Sequence, residues 1–182
     1  METWEWIALA VAVGVILLVI AVFAGSRSRR TSRLQERFGP EYDRAVSASG
    51  QRDAERRLSE VDKKHDELDI RPLPAAAQER YLEEWRNAEI RFVSDPRDAA
   101  RAAERVVVRV LEERGYPLDT NTDEQAALVA VDHPDVVERY RHGHAMLENV
   151  DGPGSTENLR KAMIDFRTVL DELLEGRRTA VA

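Results

Sequence analysis

Four histidines are the side chains of this sequence best suited to metal or acid–base chemistry, and His133, His142 and His144 lie close together in it. Two imidazoles that share an ion from one helix need a four-residue spacing on one face, with carboxylate support. His133, Val137, Tyr140, His144 and Leu147 do share a face, at steps of four, three, four and three, while His142 points away. His133 and His144 are then ~16 Å apart along the axis, too far to hold one ion. The spacing therefore predicts no metal centre. It predicts a partly buried His144 bonded to a neighbour, and a His133 that opens a helix beside Pro134.

Other chemistries fare no better. The carboxylate pairs Glu83-Glu84, Glu112-Glu113 and Asp171-Glu172 are adjacent on helices rich in basic residues, and adjacent helical residues do not face each other. Gly152-Pro153-Gly154 lacks the strand and lysine of a phosphate loop, and no serine sits in a nucleophile elbow. The absence of cysteine excludes disulfides and thiolate chemistry. What remains is a ligand groove from the aromatic positions Tyr81, Trp85, Tyr140 and His144, which is the candidate pocket. No cofactor and no enzymatic activity are expected.

The charge pattern speaks to partners. Of 27 Lys and Arg and 34 Asp and Glu, four arginines and two glutamates precede residue 34, which leaves 23 basic against 32 acidic side chains after it. A nucleic-acid-binding domain carries the opposite balance, so no nucleic-acid partner is expected.

The elements that must position these residues begin with an anchor. Ile7 to Ala24 carries no charged or polar side chain, and with Trp4 and Trp6 its length passes the ~30 Å of a bilayer core. Tryptophans favour the headgroup level, and Arg27, Arg29, Arg30 and Arg33 on the far flank supply the positive-inside bias. The prediction is a single-pass cell-membrane protein: 1–6 outside, a transmembrane helix at 7–25 in contact with lipid, and a basic strip at 26–33 facing the cytoplasm. A cleaved signal peptide fits poorly, because the arginines lie on the wrong side of the run and the segment before it is acidic. Ala10 with Gly14, and Ala21 with Gly25, have the spacing that lets membrane helices approach, one route to self-association.

Beyond the anchor the periodicity is helical throughout. Residues 34–70 read as a charged stalk, broken at Gly39-Pro40 and Gly50, whose seam is Ala54, Leu58, Val61, His65 and Leu68. Arg71-Pro72-Leu73-Pro74 is an extended connector. A bundle of about four helices should fill 71–176. It opens with the stripe Ala77, Tyr81, Trp85, Ala88 and Phe92, continues from the cap Asp95-Pro96 to Arg114-Gly115 and from His133-Pro134 to about Asn149, and ends on a helix capped by Ser155 with Leu159, Ala162 or Met163, Phe166, Leu170 and Leu173 facing in. Leu118 to Val131 is read as a loop and a short helix started by Thr122 or Asp123, and 177–182 as a flexible tail. The fold class is all-α.

The segments Arg71-Pro72-Leu73-Pro74, Arg114-Gly115-Tyr116-Pro117, Val131-Asp132-His133-Pro134 and Tyr140-Arg141 resemble a family of small single-pass membrane-anchored proteins from high-GC Gram-positive bacteria. That resemblance spans most of 34–175 and implies an anchored helical domain, with no activity attached to it. Together these features predict a membrane-anchored, non-enzymatic interaction or scaffold module facing the cytoplasm, with a protein partner or a second copy of itself. The alternative is a tethered sensor that binds a small ligand in the bundle.

Overall fold

Proline and glycine divide the chain into helices at the places where hydrogen bonding must stop. The computed structural model describes residues 29–117, 122–148 and 155–175, and these are helical with no strand among them. Eight helices run in the order α1 (29–38), α2 (Pro40–Ser49), α3 (Gln51–Asp66), α4 (Ala75–Phe92), α5 (Pro96–Arg114), α6 (Thr122–Asp132), α7 (Pro134–Glu148) and α8 (Ser155–Glu175). Among the described residues, no helix is long and apolar enough to cross a membrane. The candidate span 7–25, with Trp4, Trp6 and Arg27, lies outside the described residues, as do 1–6 and the tail 177–182.

Local chemistry accounts for the boundaries. The Asp95 side chain accepts the Asp98 amide at 3.1 Å and Pro96 occupies the first turn, so α5 starts where the cap predicts. The helix ends on Gly115, whose φ of 102° is left-handed. There the Tyr116 amide reaches back to the Leu111 carbonyl at 3.0 Å and the Gly115 amide to Glu112 at 2.9 Å, a Schellman closure. A Cβ on Gly115 would stand 2.6 Å from the Asp69 carbonyl oxygen, so the 69–74 connector passes against this turn. Arg71 fixes that connector by donating its amide to the Arg114 carbonyl at 2.9 Å.

The predicted stripes turn inward. Ala77, Tyr81, Trp85 and Ala88 are buried on α4, and Leu159, Ala162, Met163, Phe166, Leu170 and Leu173 on α8. Burial of each large aliphatic or aromatic side chain contributes about 1.5–3 kcal/mol, which makes α8 the main staple of the core. It packs on α7 and α5, and α5 packs on α4. Gly143 permits the close approach of α7 and α8, since a Cβ there would meet the Phe166 ring at 3.0 Å.

Two features differ from expectation, the number of helices and the placing of Glu55. Five helices, rather than about four, fill the stretch after the connector, because Thr122–Asp132 is a full helix with Ala127 to Val131 buried on every face. Within the segment 34–70 read as a stalk, α3 packs on α6 and α2 on α7, with Ala54, Leu58 and Val61 facing in, the use that so short a seam favours. Glu55, read among the solvated charges, is buried, where its carboxylate accepts from Thr31 at 2.7 Å, Gln51 at 2.8 Å and Tyr42 at 3.1 Å. A buried carboxylate so surrounded is satisfied rather than reactive.

Candidate functional site

Two constellations lie where α5, α6, α7 and α8 meet, one polar and one apolar. The polar one begins at Arg114, at the end of α5 and only 6% exposed. Its Nη1 donates to the Leu173 carbonyl at 3.1 Å and to His133 Nε2 at 3.2 Å. A guanidinium has no acceptor, so Nε2 accepts and the ring proton sits on Nδ1, which faces Glu172 Oε1 at 3.4 Å. His133, 2% exposed, is thereby held neutral: burial, then the Arg114 charge, lower its pKa against the opposing pull of Glu172 and Asp132.

Asp132, the preceding residue, closes the second half of the knot. Its Oδ2 accepts from the Tyr116 hydroxyl at 2.8 Å and contacts His65 Nε2 at 2.8 Å. Burial pushes this carboxyl up, but the bonds from His65 and Tyr116 outweigh it and hold its pKa at about 2. The knot thus ties α3, α5, α6 and α8 together through hydrogen bonds among buried and half-buried groups. Such an arrangement fixes register. Among the described residues, no three His, Asp or Glu are placed to hold a metal ion.

The apolar constellation is a cavity of about 180 Å³. Buried Val107, Leu111, Val129, Val136, Val137 and Val169 form its floor, and half-buried Val108, Gln125, Ala126, Tyr140 and Arg141 its rim. The Tyr140 hydroxyl donates to Glu104 at 3.2 Å, and burial, followed by the Glu104 charge, raises its pKa well above the usual phenol range. Arg141 donates to the buried carboxylate of Glu41 on α2 and lies 3.5 Å from Asp123. The rim therefore connects the cavity to the helix that follows α1.

The four aromatic and histidine positions expected to share a pocket form two groups. Tyr140 and His144 stack at 6.1 Å and both reach Glu104, but His144 is half exposed at the surface rather than partly buried. His133 is the buried histidine of α7's start. Tyr81 and Trp85 lie on α4, where the Tyr81 hydroxyl donates to Glu113 at 2.6 Å and Trp85 packs 5.7 Å beneath the Arg167 guanidinium. Of the basic residues read as topological signals, Arg30 donates to Ser59 at 2.6 Å and Arg33 stands 3.9 Å from Asp62, while Arg29 is exposed.

Nothing in the spacing of Arg114, Glu41 and Arg141 marks them as partnered inside the fold. A partial signal exists for Arg114: it precedes a helix-ending glycine and an aromatic, where a long cation caps neighbouring carbonyls. Comparison with protein-family models, with curated proteins and with solved structures gives no match for this chain.

Proposed function

We infer that this chain is a membrane-tethered, non-catalytic interaction module: an acidic helical domain held at the cytoplasmic face through residues 7–25, which works by binding another protein. The anchor reading is carried by the Ile7–Ala24 run with its tryptophan and arginine flanks. The binding reading is carried by one surface feature. At the end of α4, Val93 is 90% and Ile90 72% exposed, three residues apart and so on one side of the helix end among charged neighbours; on another side Phe92 shares an apolar groove with Trp85, Met163 and the exposed Ile164 of α8, flanked by Glu89, Arg160 and Arg167. An apolar patch rimmed by charge on an otherwise well-buried domain is a mark of association.

A photo-crosslinking side chain placed at Val93 in the full chain, expressed in its own cells, tests this reading. The expected result is a discrete protein adduct at Val93 and none at exposed Arg52 on α3. Equal labelling at both positions, or none at Val93, refutes it.

The cavity supports a second reading, a tethered sensor of a small ligand. Its floor carries no polar side chain, and Arg141 on its rim also holds α2.

A further inference from the structure

The cavity between α5, α6, α7 and α8 has walls that select a ligand class, an inference that rests on the ligand-sensing reading and sharpens it. Valines and a leucine make the floor, so nothing there replaces the hydration of a charged or strongly polar guest. The charged rim group is already engaged: Arg141 is paired with Glu41 and flanked by Asp123. An anion would have to displace a carboxylate that is itself buried. The Tyr140 hydroxyl is likewise turned to Glu104, which leaves Gln125 as a neutral amide at the rim.

Size completes the selection. Apolar protein cavities of about 150 Å³ take up benzene, and this half-open one measures about 180 Å³. The geometry points to a binding site for a compact, uncharged, hydrocarbon-like molecule of about six to ten heavy atoms, such as an aromatic ring or a branched alkyl unit. Its affinity comes from the apolar surface it buries and the dispersion contacts it makes with the valine walls.

Position gives the site a consequence. The α6 wall belongs to the helix that packs on α3, and the Arg141 rim belongs to α7, which packs on α2. An occupant seated between α6 and α7 therefore acts on the α3–α6 and α2–α7 contacts.

The test uses the full chain in lipid nanodiscs with labelled valine methyls, titrated with indole as the uncharged probe and benzoate as a charged one. Indole should shift the Val129, Val137 and Val169 methyls saturably and raise the unfolding midpoint by about 4 °C at ten times its Kd, with benzoate at least tenfold weaker. Ala126→Leu and, independently, Val108→Leu fill the rim, and each should remain helical and lose the indole shifts. No saturable shift at these valines, equal binding of benzoate, or undiminished binding in both filled variants overturns the proposal. Amide exchange across α2 separates it from the sensor reading. Cavity binding that leaves α2 unchanged supports the ligand class and refutes sensing.

Discussion

Replacing Arg114 with alanine removes the donor on which the polar knot turns, and its cost follows from the two acceptors it leaves behind. The Leu173 carbonyl and His133 Nε2 lie 3.1 and 3.2 Å from Nη1 in a site closed to water. Each buried acceptor left without a donor costs about 1–3 kcal/mol, and the vacated stem adds a void. Against this, the variant no longer buries a charge whose Nε has no partner. The net expectation is a loss of about 3 kcal/mol, a large share of the ~5–15 kcal/mol of a domain. Urea unfolding followed by far-UV circular dichroism measures it. The loss should also be smaller at pH 5 than at pH 8, because without Arg114 the native His133 accepts a proton facing Glu172. A loss under about 1 kcal/mol, or one independent of pH, refutes this account of the knot.

Four further outcomes follow from the same geometry. Gly115→Ala should cost about 2 kcal/mol or more in the same assay, since a left-handed φ and the Asp69 carbonyl at 2.6 Å both oppose a Cβ. The depressed Asp132 carboxyl contributes stability that is complete above about pH 4 and is lost as pH falls toward 2; Asp132→Asn should flatten the unfolding profile across that window, and an unchanged slope contradicts it. His133 is held below its ordinary 6.5, so below that pH the unfolded chain binds more protons than the native one and stability declines; His133→Gln should remove this decline between about pH 6.5 and 5. Arg141→Met strands buried Glu41 and should cost about 3 kcal/mol, while Arg141→Met with Glu41→Gln costs less, the coupling being read from a double-mutant cycle.

Most of the helices are legible in the sequence because their causes are local. Asp95-Pro96 and His133-Pro134 mark starts through capping and a fixed φ, and the α4 and α8 stripes show which face is buried. Of α6 only the start, at Thr122, is legible in this way; its length and buried face are not. Held between α3 and α7, it buries Ala127 through Val131 on all sides, so its sequence has no polar face and no period. The buried charges escape for a different reason: Glu41, Glu55 and Arg114 are spaced like solvent-facing residues, and only tertiary neighbours pair them. The seam His65 turns inward as its spacing indicates, to meet Asp132 across the helix packing. Of the aromatic positions singled out, Tyr140 reaches the cavity, whereas Tyr81 and Trp85 serve α4 packing. A void has no sequence signature, because it is set by how four helices fail to close.

The chain contains no cysteine, so a single introduced thiol reports its location without background. With Ser94→Cys, on the exposed turn after α4, a membrane-impermeant maleimide applied to intact cells should leave the membrane-fraction protein unlabelled, and permeabilisation should expose it. Recovery of the protein in the soluble fraction, or labelling of Ser94→Cys in intact cells, would contradict a domain tethered at the cytoplasmic face.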